Sequence, residues 1–252
     1  MLKNIHLLIL ALLIYIMLAL AGISFLLGLI ITFLLCSAFL AFNIFNIRLT
    51  LFVKCISRIK TNEKIVFLTF DDGPNPETTE EILAILETYQ IKACFFCIGD
   101  KANANPTILK KIDSSGHIIG NHTQSHKWKD TLINVSNYIK LVDSCSQAIS
   151  AIIGKKPLLF RPPYGITNPT IVSAIQNLKL TIIGWNIRSF DTTSTDKSKL
   201  LSRIISRLKP GSIILLHDSQ PITVSILPEL IQKIHANDYK ILSLLPFIKP
   251  YE

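Results

Sequence analysis

Ile65-Val66-Phe67-Leu68-Thr69-Phe70-Asp71-Asp72-Gly73-Pro74 is a run of strand-forming residues that ends in two adjacent carboxylates and a Gly-Pro turn. A strand end of this kind puts its last side chains at the rim of a sheet or barrel, where α/β enzymes carry out chemistry. Neighbouring anions repel, so Asp71 and Asp72 need a cation or a shared proton. His122 and His126, in Asn121-His122-Thr123-Gln124-Ser125-His126 further along the chain, are the candidates to complete a cation site. One carboxylate and two imidazoles leave coordination positions open for water and substrate, as in a catalytic zinc-type site. Histidines four apart are expected on one face of a helical turn.

Working outward from this strand, the sequence alternates strand and helix. Helices are expected over 76–89, 106–114, 134–153, 169–177, 198–208 and 226–236. Strands are expected over 65–70, 92–98, 117–120, 159–160, 180–185, 212–216 and 239–244. Such alternation indicates a parallel α/β architecture. Polar motifs placed just after strands indicate a barrel with its site at the strand C-termini.

The N-terminal part differs in character. No charged residue occurs from Leu7 to Phe45. As one helix this stretch would span roughly 58 Å, against about 30 Å for a single bilayer crossing. A transmembrane helical hairpin turning near Ala21-Gly22-Ile23-Ser24 therefore fits residues 1–45. A cleaved signal peptide would carry an apolar region of only about 7–15 residues. Residues 46–63 read as a basic linker that includes an interfacial helix, and 64–252 as one catalytic domain. The flanking Arg48, Lys54, Arg58 and Lys60 argue for a cytoplasmic placement by the positive-inside rule.

The net charge is +9 in 252 residues, which suits work beside anionic lipid or anionic wall polymer. No Lys/Arg cluster is interleaved with aromatics, which argues against nucleic acid as a partner. The five cysteines show no framework spacing. Cys94-Phe95-Phe96-Cys97 lies inside an apolar strand pattern, so its thiols read as buried hydrophobes.

Taken together, Thr69–Gly73, His122–His126, Arg161-Pro162-Pro163-Tyr164-Gly165, Trp185–Asp191 and Leu215–Asp218 resemble, in order, the motifs of the polysaccharide deacetylases of carbohydrate esterase family 4. The resemblance spans roughly residues 64–245. It implies a distorted (β/α) barrel and metal-dependent removal of acetyl groups from sugars. It further implies Asp72, His122 and His126 as metal ligands, with zinc first and cobalt, nickel or iron as alternatives. Asp71 resembles the general base that takes a proton from the attacking water, and Arg161 the arginine whose planar fork orients that base. The backbone N–H of Tyr164 corresponds to an oxyanion donor. His217 corresponds to the general acid and Asp191 to the partner that raises its pKa. Leu215 matches the apolar neighbour of the acetyl methyl group, and equally an ordinary core residue.

Two departures bear on the groove. Many members carry Trp directly after the aspartate matching Asp191, where this chain has Thr192; many carry Pro after the second histidine, where this chain has Lys127-Trp128. Trp185, His117, His235 and Cys145 read as core, structural or surface residues. The expected function is N-deacetylation of a GlcNAc-containing polysaccharide, foremost peptidoglycan. The expected place is the bacterial inner membrane, with the domain facing outward, contrary to the basic flank. The alternatives are an amidase acting on a smaller acetylated sugar or lipid-linked precursor at the cytoplasmic face, and a non-catalytic glycan-binding member.

Overall fold

The computed structural model describes residues 2–48 and 55–248. At its centre is β1 (Ile65–Asp71), buried at every position. With β2 (Cys94–Cys97), β3 (Ile118–Asn121), β4 (Leu159–Phe160), β5 (Thr181–Ile182), β6 (Ile187–Arg188), β7 (Ser212–His217) and β8 (Lys240–Ile241) it forms one sheet. The order is β5-β4-β3-β2-β1-β7-β6, with β8 also on β1, and every pairing is parallel. The parallel register places Asp71 opposite His217 and Cys97 opposite Asn121. The chemistry-bearing residues therefore collect at one end of the sheet because they end their strands.

Successive residues of a strand face opposite sides, and the two cores show this directly. Val66, Leu68, Phe70, Phe95, Cys97, Ile214 and Leu216 belong to the core shared with the helices. Phe67, Cys94, Phe96, Ile213 and Leu215 fill the barrel interior. Cys94 and Cys97 thus point to opposite sides of β2, and both are free. Burial pushes the Cys94 thiol up to about 12, so both cysteines serve as packing.

The chain begins with a helical hairpin, α1 (Leu2–Leu20) and α2 (Phe25–Ile44). The helices are joined by a turn with Gly22 at positive φ, and Tyr15 meets Phe25 edge-on at 5.9 Å. Among the described residues, α2 is the one helix long and apolar enough to cross a membrane, with a mean hydropathy of 2.6. The remaining helices are α3 (Thr79–Thr88), α4 (Gly99–Ala104), α5 (Pro106–Ser114), α6 (Val135–Ile153), α7 (Pro169–Asn177), α8 (Lys197–Ile205) and α9 (Pro221–Ala236). Of these, α5, α7 and α9 start with Pro in the first turn, and α6, α7 and α8 with a capping side chain. Asn134, Asn168 and Asp196 accept from the backbone N–H three residues on.

One expectation needs correcting. Residues 55–59, assigned to a linker, are part of the barrel. The Ile56 N–H donates to Ile182 O (3.0 Å), and the Gly184 N–H donates to Ile56 O (2.9 Å). On the other side the Ile59 N–H donates to Gly211 O (2.9 Å), and Arg58 bridges Ser212. This segment bonds both to the β5 edge and to the base of β7, spanning the gap that the short strands leave. Its local sequence, Cys55-Ile56-Ser57-Arg58-Ile59, has no strict alternation of apolar and polar residues to mark it as sheet, and it sits in a basic flank. Residues 49–54, within the 46–63 stretch expected to include an interfacial helix, lie outside the described residues.

Candidate metal centre and acid–base pairs

β1 aims Thr69 and Asp71 into the barrel interior, where they meet Arg161 at the end of β4. Arg161 is fully buried. Its Nη1 donates to Asp71 Oδ1 (2.6 Å) and Thr69 Oγ1 (2.8 Å), its Nε to Ile183 O (3.1 Å), and its Nη2 to Gly184 O (3.0 Å). The guanidinium lies 4.1 Å from the Phe96 ring and 5.5 Å from that of Trp185. A two-oxygen fork on the carboxylate, expected from the sequence, is not what forms. One nitrogen holds Oδ1, the others hold backbone carbonyls, and Asp71 Oδ2 stays free, 3.8 Å from His122 Nε2. A buried charge is tolerable only when so paired.

Asp72, His122 and His126 converge, with one ligand atom from each lying within 4.8 Å of the others. Asp72 Oδ1 is 3.5 Å from His122 Nε2 and 3.3 Å from His126 Nε2, and it is buried with no hydrogen-bond partner. His122 Nδ1 donates to Arg161 O (2.7 Å), which fixes the tautomer and leaves Nε2 as a lone-pair donor. An orphaned carboxylate oxygen facing two imidazole nitrogens fits a divalent cation. Burial of Asp72 favours its neutral acid, but contact with His122 and the charges of both histidines outweigh it and hold its pKa well below the carboxylate range. Burial, reinforced by His122, lowers His126 to about 4. Its imidazole is therefore neutral near pH 7, the form a ligand requires.

The histidine motif is not a helical turn. After β3 the chain loops, with Thr123 at φ 67 and His126 at φ 51. Positive φ at a non-glycine residue is uncommon and concentrates at functional sites. Of eight such residues among those described, Gln90, Lys179 and Asp238 sit just past the ends of α3, α7 and α9, as helix terminators do. The other five are Asp72, Thr123, His126, Tyr164 and Phe190, all at the barrel mouth.

Across the mouth, Asp191 is buried and fully satisfied. Its Oδ1 accepts from Ser189 (2.8 Å) and from His217 Nδ1 (2.7 Å). Its Oδ2 accepts from the His217 N–H and the Thr223 hydroxyl, each at 2.7 Å. Burial opposes the charge on His217, but the Asp191 hydrogen bond and charge outweigh it and raise the pKa. The same pairing lowers Asp191. His217 thus holds a proton on a ring whose Nε2 is left free. Tyr164 adopts φ 60, its hydroxyl donates to His126 O (3.1 Å), and its ring lies 4.7 Å from that of His126. Leu215 is buried in the interior cluster.

A polysaccharide deacetylase family model matches residues 58–183, half of the chain. The chain belongs to the polysaccharide deacetylase family. It is 31% identical to the peptidoglycan-N-acetylmuramic acid deacetylase PdaC of Bacillus subtilis, over 74% of this chain and 39% of that one. It is 28% identical to a peptidoglycan-N-acetylglucosamine deacetylase of Bacillus cereus, over 76% of this chain and 91% of that one. Among solved structures, a family 4 pseudoenzyme of Bacillus anthracis superimposes with a TM-score of 0.72 at 26% identity, covering 78% of this chain and 69% of the other. The chain thus spans well under half of the length of the first relative and nearly all of the second.

Three features of this family member were missed in the sequence. Asp218 is fully buried; it accepts from Thr79 Oγ1 (2.7 Å) and its carbonyl accepts from Thr78. It thereby ties the end of β7 to the loop after β1, and a Cβ on Gly73 would collide with it. Burial raises its pKa to about 7. The Lys101 ammonium donates to Asp72 O (2.7 Å). Trp128 stands edge-on to Tyr164 at 5.3 Å and walls the side of the mouth next to His126. An acidic residue directly after a strand-ending histidine was a readable signal for Asp218; nothing local marked the other two. At Thr192 the side expected to carry a tryptophan is an open groove of ≈ 550 Å³, lined by Asp191, Thr192, Gln220 and Ser225 among others. Trp185 is buried against Arg161 as expected. His117 is also buried, accepting the Ala93 N–H at 3.1 Å.

Proposed function

We propose that this protein is a metal-dependent deacetylase that hydrolyses N-acetyl groups on GlcNAc-containing glycan. Peptidoglycan is the leading polymer, as in the names of the Bacillus relatives. The observation that carries the reading is the division of labour at Asp71. Arg161 pins Oδ1, and Oδ2 is left free beside the Asp72–His122–His126 set. Those three residues would hold the cation, with zinc as first choice for a His₂-carboxylate site. When bound, it supplies Lewis acidity toward water and the acetamide oxygen.

The protein's own groups do the rest. Asp71 Oδ2 takes the proton of the attacking water. The N–H of Tyr164, turned by its left-handed backbone, supports the oxyanion. His217, protonated through Asp191, delivers a proton to the departing amine, which could not leave as an amide anion. Leu215 offers an apolar wall for the acetyl methyl. The α1–α2 hairpin anchors the domain in the bacterial inner membrane, with the domain facing outward for a wall substrate.

The test uses the full chain in detergent, incubated with GlcNAc oligomers and peptidoglycan, with zinc and with chelator. Acetate release is expected with zinc only, and to fall about 10²–10⁴-fold in Asp71→Asn. Release that persists undiminished in Asp71→Asn or with chelator overturns the mechanism.

A further inference from the structure

The end of α2 is fixed to the domain at the barrel mouth. Thr167, in the loop after β4, donates its N–H to Ile44 O (3.0 Å). Ile47 is buried in the barrel-interior cluster with Trp185, close to Gly165 and Gly184. Phe45 stacks on Trp128 at 6.2 Å with the rings 4° from parallel. From there an aromatic path leads to the candidate metal ligands, Trp128 to Tyr164 at 5.3 Å and Tyr164 to His126 at 4.7 Å. The Asp191 side of the mouth is cationic. Arg188 and Arg203 each lie over the Phe190 ring, at 4.8 and 4.1 Å, one residue before Asp191. Arg203 Nε also donates to Arg188 O (3.0 Å), which holds the two arginines together beside Phe190.

Twenty helical residues span about 30 Å, one hydrocarbon thickness. If α2 crosses, its last turn lies at a bilayer face, and whatever is fixed to that turn lies there too. The surface suits the place. Trp128 is 50% exposed, Leu132 79% and Phe45 59%; Val135 and Tyr164 are also exposed, and Lys127 and Lys129 flank Trp128. Aromatic rings with a cationic fringe are the composition of membrane-interface anchors, and arginines favour anionic headgroups.

We infer that the barrel mouth is docked on the bilayer surface through Phe45, Trp128, Leu132 and the Arg188–Arg203 pair, so that the enzyme takes acetylated amino sugars tethered to membrane lipid in preference to free glycan. The inference rests on the deacetylase reading for its substrate and on α2 as the membrane crossing for its docking.

The full chain is placed in vesicles of phosphatidylcholine and phosphatidylglycerol, with and without bromine on the acyl chains. Brominated lipid is expected to quench a tryptophan component that is missing in Trp128→Phe, leaving buried Trp185 unaffected. In the same vesicles, acetate release is measured from a free GlcNAc oligomer and from that oligomer coupled to a lipid. Leu132→Glu is expected to cut release from the coupled oligomer by at least roughly tenfold and to leave the free one unchanged. Trp128 emission that brominated lipid does not quench overturns the docking. Equal effects of Leu132→Glu on both substrates, or none on either, overturn the preference. Absence of acetate from both substrates refutes the deacetylase reading instead, while the quenching still decides the docking.

Discussion

Asp191 illustrates how much one residue can set. It accepts four hydrogen bonds and has no capacity left for solvent, so its charge acts on His217 undiluted. The raised pKa of His217 means that its proton is held below that pKa and lost as pH rises through it. The rate should therefore fall on an alkaline limb lying above the ordinary histidine value. Asp191→Asn removes the charge that raises His217. Its kcat/KM profile is expected to show that limb displaced toward acid, with the rate near neutrality down by about 10²-fold or more. An unmoved limb would disconnect the pair from proton delivery. At this scale the sequence was readable where chemistry demands a residue type at a strand end, as for Asp71, Asp72 and His217. It was unreadable where the role comes from what folding brings near. Trp128 has no local signature, and the grip of Arg161 on two backbone carbonyls depends on β5 lying alongside β4.

At the level of elements, the parallel alternation could be followed because β1 and β7 are long and apolar. β6, of two residues, and α4, of six, were too short to show a period. The segment 55–59 has a consequence that can be measured. A chain starting at residue 64 loses the backbone bonds to Ile182, Gly184 and Gly211 and the burial of Ile47 and Ile59. Burying each such side chain contributes about 1.5–3 kcal/mol. For a domain of this size, the loss should lower Tm by on the order of 10 °C relative to a chain starting at residue 46. Equal melting temperatures would show that the segment merely lies against the barrel.

For the whole molecule, the site is assembled from the ends of β1, β3, β4 and β7, which are far apart in sequence. A cation bound at Asp72, His122 and His126 therefore links β1 to the loop after β3. Binding only to the folded state adds stability by mass action, about 2.7 kcal/mol at a hundredfold excess over Kd. Chelator should lower Tm by several degrees, added zinc should restore it, and Asp72→Ala should be insensitive to both. A wild-type Tm indifferent to chelator would refute a tightly held cation. The hairpin belongs to this scale too: its apolar composition is legible in the sequence, its position relative to the mouth is not.

Arg161 lies inside the barrel, where a small fold would ordinarily keep an aliphatic side chain. On the proposed mechanism the residue that steadies the base is thus also filling of the interior, so losing it alone would strand a buried carboxylate and cost stability as well as catalysis. Asp72, His126 and Tyr164, at the solvent-accessible rim, have no such protection. A descendant released from selection for catalysis should shed those rim residues first and keep the arginine as a fossil of the reaction, so an intact arginine by itself says little about whether a relative still works.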